Sequence, residues 1–230
     1  MNDPITPPLR TNRSFVIREG RFTRAQKKAF EDLWPKFGIP TDVIDNIHPN
    51  DWFSADQPII LDIGFGSGDS LLSLAMQRPD LNFIGVEVYR PGIGAVLRKI
   101  QMQELNNIRV INTDIMQLLR ARLAPDTITG AMVWFPDPWP KTRHHKRRLV
   151  QKEFLLQLIR VMQNQSILHL ASDWQPYVEF MLKEITQVEN FVALKTNRNP
   201  LGLERPPTRF EQRGLRKSHE VSDLIYRIVK

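Results

Sequence analysis

The chain has 230 residues, 41% of them hydrophobic and 25% charged, a composition typical of a globular domain with enough apolar material for a sizeable core. Its apolar runs are broken by Gly, Pro or charge well short of the roughly 20 residues that a membrane helix needs. Residues 1–13 lack the apolar centre of a secretory signal, so a cytoplasmic location is expected. The absence of cysteine excludes disulfides, Cys-ligated zinc and thiol nucleophiles, and a net charge of +7 favours a polyanionic partner.

Residues 1–22 read as a flexible basic arm and 23–230 as a single domain. Thr23 is the expected N-cap of a helix that carries Phe30, Leu33 and Trp34 at helical spacing and should end where Pro35 to Pro40 breaks the pattern. From Pro58 onward, β-rich runs at 59–63, 82–88, 109–112, 128–135 and 167–172 alternate with helical runs at 70–77, 91–105, 115–122, 151–163 and 177–186. Two further strand candidates, 191–195 and 224–229, flank a Pro- and Arg-rich loop over 196–216. The alternation predicts an α/β fold with a mostly parallel, seven-stranded sheet and helices on both faces.

The first strand of the alternating region runs into Gly64-Phe65-Gly66-Ser67-Gly68, a glycine-rich turn that lets a ligand approach the backbone closely. A dinucleotide fingerprint needs its third glycine at position 69, where this chain has Asp69. A carboxylate there is also ill suited to a pyrophosphate at a helix N-terminus. A phosphate-free cofactor with positive charge, S-adenosyl-L-methionine, matches acidic surroundings. Glu87, at the end of the second strand, can accept hydrogen bonds from both ribose hydroxyls, and Asp114, after the third, can accept one from the adenine amino group. Asp62 and Asp114 taken singly read equally as turn or N-cap residues. Together, acids at three successive strand ends point to one crevice.

After the fourth strand, Pro136, Pro138 and Pro140 stiffen a turn that holds Asp137 and Trp139 at the mouth of that crevice. Lys141 to Arg148 then supplies five Lys or Arg residues and two histidines, enough to neutralise several phosphates beside the cofactor. Away from such a crevice, a basic run of this kind reads as a solvated loop or a localisation tag.

The segments 64–68, 85–88, 135–148, Asp173-Trp174 and Thr208-Arg209-Phe210-Glu211 together resemble the bacterial tRNA (guanine-N7)-methyltransferases, over about residues 60–211. The resemblance implies a Rossmann-like class I methyltransferase fold, with S-adenosyl-L-methionine as donor and S-adenosyl-L-homocysteine as product. It implies cofactor contacts from Asp62, Gly64, Gly66, Gly68, Glu87, Asp114 and Asp137. Substrate contacts would come from Lys141, Asp173, Thr208, Arg209, Phe210 and Glu211, and RNA contacts from Arg143, His144, His145, Lys146, Arg147 and Arg148. The implied target is the variable-loop guanine at position 46 of tRNA, and the enzyme could act as a monomer or a homodimer. Asp62 stands where the family often has Glu.

Guanine N7 carries an in-plane lone pair, so its methylation needs no general base. Catalysis should come from alignment and from stabilising positive charge on the purine. Asp137 is assigned that central role. A carboxylate can accept from the N1–H and amino donors of guanine, and adenine has an acceptor at N1 instead. Asp173 or Glu211 can share that edge, although Asp173 could instead cap the following helix and Glu211 could pair with Arg209 or Arg213. Trp139 and Trp174 could stack on an extruded base or pack in the core. The histidines are not spaced to hold a metal, and none is expected. Two rival readings are an exocyclic-amine methylase of nucleic acid, which Asp137-Pro138-Trp139-Pro140 resembles only loosely, and a non-catalytic RNA-binding module with a degenerate pocket.

Overall fold

The structure, a computed structural model, describes residues 14–15, 22–41, 47–121, 123–196, 198–206 and 220–230. Most of the arm and the segment Thr208, Arg209, Phe210 and Glu211 lie outside the described residues.

Helix α1 (Arg24–Phe37) begins with a reciprocal capping box. The Thr23 hydroxyl accepts from the Gln26 amide at 3.2 Å, and the Gln26 side chain accepts from the Thr23 amide at 3.0 Å. The helix runs through Pro35, two residues past the expected stop, and ends against Gly38. A Cβ on Gly38 would sit 2.2 Å from the Trp34 ring, so only glycine lets the chain turn there into the two-residue strand β1 (Gly38–Ile39). That strand pairs with β4 and makes the sheet eight-stranded, correcting the expected seven. Two residues are too short to show any period in sequence.

The alternating region gives β2 (Ile59–Ile63), α2 (Asp69–Gln77), β3 (Asn82–Val86), α3 (Arg90–Met102), β4 (Ile108–Ile111), α4 (Ile115–Ala121), β5 (Ile128–Trp134), α5 (Lys152–Val161), β6 (Met162–Ser172) and α6 (Gln175–Ile185). Strands β7 (Phe191–Ala193) and β8 (Ser222–Ile228) complete the order β1-β4-β3-β2-β5-β6-β8-β7 among the described residues, with β8 antiparallel to both β6 and β7. Strand β6 starts five residues earlier than expected, because Met162 pairs with Ile128 before a register shift. The polar stretch Gln163 to Gln165 hid it from a pattern search.

The central strands are buried on both sides, as a sheet covered by helices requires. Ile59, Leu61, Ile63, Ile84, Val86, Ala131 and Val133 join α4, α5 and α6 in one core layer. Their alternates Ile60, Phe83, Met132 and Trp134 join α2 and α3 in the other. From β2 the chain winds outward through β3 to β4, and from β5 it winds the opposite way to β6. The carboxyl ends of β2 and β5 therefore open a crevice at the switch point.

Candidate functional site

A cavity of about 720 Å³ occupies that crevice, a size suited to a nucleoside-sized ligand. Its lining includes Asp62, Gly64, Gly66, Glu87, Asp114 and Asp137, so strand ends distant in sequence bring six of the expected residues together. Gly68, Lys141 and Asp173 are not among the lining residues. Gly64, Gly66 and Gly68 have φ of 79°, 57° and 70°, the left-handed region that disfavours other residues. Gly68 lies beneath Val96, whose Cγ2 would be 2.1 Å from an added Cβ. Its contribution is to let α2 start close to α3.

Glu87 holds the glycine turn in place. One carboxylate oxygen accepts from the Gly66 amide at 2.9 Å, and the other accepts from Val88 and Tyr89 at 2.7 and 3.0 Å. A carboxylate offers about four acceptor sites, so three amides leave capacity for a ligand hydroxyl. Asp114 performs the capping role its position also suggested, accepting from the Met116 amide at 3.0 Å at the start of α4 while lining the cavity. Asp62 is buried, and desolvation together with the Glu87 charge pushes its carboxyl up to about 7. At Asp69, an ion pair with Lys99 occupies the cavity wall.

The turn after β5 is strained. Phe135 and Trp139 adopt φ of 54° and 46°, which is uncommon for non-glycine residues and persists only where the surroundings enforce it. Phe135 is tied by its amide to the Ala171 carbonyl at 2.8 Å, and Arg205 lies over its ring at 5.3 Å. The Trp139 indole donates to the Ser14 carbonyl at 3.1 Å, with Arg147 over one ring face and His144 against it edge-on. Ser14 and Phe15 line the cavity too, a contribution from the arm that no sequence pattern signalled. Trp174 packs against the core. It is also the N-cap residue of α6, so Asp173 does not take the capping position that was its alternative reading.

The basic run divides. Lys141, Arg143 and Lys146 are exposed, and Arg147, His144 and His145 are half-buried around a 3-10 turn over Thr142–Arg147. Surrounding cations add to desolvation in lowering the His144 pKa. Arg148 departs from expectation. It is 3% exposed and its guanidinium binds backbone carbonyls, so it does not face a phosphate in this structure. Adjacent basic residues look alike in sequence, and only the end of the 3-10 turn sends this one inward.

A polar cluster behind the β5 turn was not legible in sequence. His169 on β6 is buried, with Nε2 2.8 Å from Asp223 on β8, and Arg205 pairs with both oxygens of Asp223 at 2.9 and 3.1 Å. Burial would raise the Asp223 pKa, but the hydrogen bonds and charge of His169 and Arg205 outweigh it and hold the carboxyl at about 2. A folded pKa below the unfolded 3.8 contributes stability present above about pH 4 and lost as pH falls toward 2. Asp223→Asn should therefore cost about 2–3 kcal/mol at neutral pH and flatten the acid limb of stability over that window. Denaturant unfolding of both proteins at several pH values checks this, and equal acid limbs would refute it.

Among the described residues, no group of three His, Asp or Glu side chains is placed to hold a metal, and no helix is long and apolar enough to cross a membrane.

Comparison with known proteins follows the same lines. The family described as "Putative methyltransferase" matches residues 56–224. A tRNA (guanine-N(7)-)-methyltransferase of Burkholderia thailandensis is 45% identical over 222 residues, covering 95% of this chain and 82% of that protein. One from Halorhodospira halophila is 42% identical over 221 residues, covering 95% and 96%. Among solved structures, the 16S rRNA methyltransferase KamB superposes with a TM-score of 0.58 over 82% of this chain and 100% of its own, at 16% identity, which is a likeness of fold.

Proposed function

Because the chain belongs to the bacterial tRNA (guanine-N7)-methyltransferase family, and is an enzyme with the Rossmann-like class I methyltransferase fold, we propose that it methylates N7 of a guanine in tRNA, the variable-loop guanine at position 46, with S-adenosyl-L-methionine as donor. The observation that carries the reading is one cavity lined by Asp62, Glu87, Asp114 and Asp137, with exposed Lys141, Arg143 and Lys146 following Asp137 in the chain. Acids around a left-handed glycine turn suit a cationic nucleoside and repel a pyrophosphate.

The bound donor would supply a methyl group activated by a sulfonium. Glu87 would accept from a ribose hydroxyl while keeping the glycine turn closed through Gly66, and Asp114 would accept from the adenine amino group. Asp62, which lines the same cavity, would answer the positive charge of the donor. Asp137 orients guanine through its N1–H and amino edge and steadies the charge that builds on the purine. No residue has to remove a proton before N7 attacks. Lys141, Arg143, Lys146 and Arg147 hold the RNA backbone, with His144 and His145 beside them, and Asp173 with the segment Thr208 to Glu211 completes the substrate side.

Asp62 gives this reading a pH signature. Its folded pKa of about 7 leaves it largely protonated below neutrality and ionised above, and a cationic ligand favours the ionised form. Cofactor affinity should rise between about pH 6 and 8, with proton release on binding detectable by calorimetry in two buffers. Asp62→Asn should bind more weakly and lose the dependence, whereas a pH-independent wild type would count against the role. For the function itself, the protein is incubated with labelled cofactor and total tRNA and the methyl group is mapped. Label in N7-methylguanine of the variable loop is expected, and label on an exocyclic amine or no transfer would overturn the proposal.

A further inference from the structure

We propose that Arg148 is a positioning residue that locks the loop carrying Asp137 to the first turn of α6, just after Asp173. Its Nε donates to the Pro138 carbonyl at 3.0 Å and its Nη1 to the Pro176 carbonyl at 3.4 Å. The guanidinium lies 5.0 Å from the Tyr177 ring centroid and 4.7 Å from that of Phe180, both on α6. Tyr177 is fully buried, and its hydroxyl accepts from the Val150 amide at 3.2 Å, which ties the aromatic shelf to the chain just beyond Arg148.

The placement of these contacts makes the brace more than packing. Strands β5 and β6 are parallel neighbours, and they lead respectively into that loop and into α6. Pro138 follows Asp137 directly, and Pro176 lies three residues after Asp173. One planar fork therefore joins the loop that carries Asp137 to the first turn of α6, which Asp173 closely precedes, and sets the spacing between the two acids assigned to guanine. The Arg148 amide also closes the 3-10 turn on His145 at 2.9 Å, so the exposed cations project from a turn anchored at the same point. Lysine cannot replace it, because a single ammonium has neither the fork to reach two carbonyls nor the plane to stack on two rings. A buried guanidinium held by carbonyls and aromatic faces is shielded from a phosphate, and that separates it from its exposed neighbours.

The inference rests on the proposed function only for its kinetic consequence, so its structural part is tested separately. Hydrogen exchange is measured on the full-length wild type, Arg148→Lys and Phe180→Leu, over peptides covering 135–140 and 172–178. Both segments should exchange faster together in Arg148→Lys, and to a smaller degree in Phe180→Leu, which keeps the fork but loses one ring. Faster exchange in one segment alone, or in neither, overturns the brace. In tRNA methylation, Arg148→Lys should lower kcat by about 10–100-fold, since a displacement near 1 Å at a reacting centre can cost that much. The slope of tRNA affinity against salt should stay at the wild-type value in Arg148→Met, because no phosphate contact is removed. A slope smaller by about one would mean that Arg148 binds phosphate and would overturn the assignment. If the wild type forms no N7-methylguanine, the functional reading fails, and the exchange result still decides the brace.

Discussion

Replacing Asp137 with alanine should lower turnover on tRNA by about a hundred- to a thousand-fold, a larger effect than its effect on cofactor affinity. Removing one preorganised electrostatic group at a reacting centre costs about 3–4 kcal/mol. The acceptor nitrogen brings its own lone pair, so the loss comes from misorientation of guanine and from uncompensated charge on the purine, not from a missing base. Asp137 is exposed at the cavity mouth, on a turn held by a strained Phe135 and braced through Pro138, so the substitution should leave the fold intact. Asp137→Asn should fall between wild type and alanine, because an amide can offer one acceptor to the guanine edge but no charge. Single-turnover kinetics with saturating cofactor, beside a thermal melt, measure this. Near-normal turnover by a folded Asp137→Ala enzyme would remove Asp137 from the mechanism.

Glu87→Ala should weaken cofactor binding by about a hundred-fold or more and stop methylation at ordinary cofactor concentrations. The carboxylate accepts from three amides, those of Gly66, Val88 and Tyr89, and hydrogen bonds to a charged group contribute about 1.5–3 kcal/mol each. Its loss releases the glycine turn and removes the ribose acceptor in one step. Asp62 should respond as well, since the Glu87 charge helps to raise its pKa, so the pH dependence of residual binding should shift toward lower pH. Glu87→Gln keeps an acceptor of similar reach and should recover part of the affinity. Titration of cofactor against both variants provides the check, and wild-type affinity in Glu87→Ala would contradict the assignment.

Residues that face one crevice because they end successive strands were legible without coordinates. The periodic alternation placed β2 to β5 within a few residues, and Asp62, Glu87, Asp114 and Asp137 followed from those strand ends. Features that depend on which way a side chain turns were not. Arg148 shares its charge and neighbourhood with Arg147, yet one is 3% exposed within the fold and the other half-buried over Trp139. The His169–Asp223–Arg205 cluster joins residues 18 to 54 positions apart, and a histidine within an apolar strand carries no local sign of its partner. Strand β1 was too short to show a period, and the polar start of β6 hid its first residues.

By itself, the sequence determined the layer architecture, the glycine turn and the acids around it, because these depend on hydrophobic period, backbone freedom and charge at strand ends, all of which are local. Only the tertiary structure decided which of the basic residues are available to a polyanion and which one braces the fold. It also decided that Asp62 sits near neutrality and Asp223 far below it. Those outcomes depend on desolvation and on partners brought from distant strands, and neither quantity exists until the chain is folded.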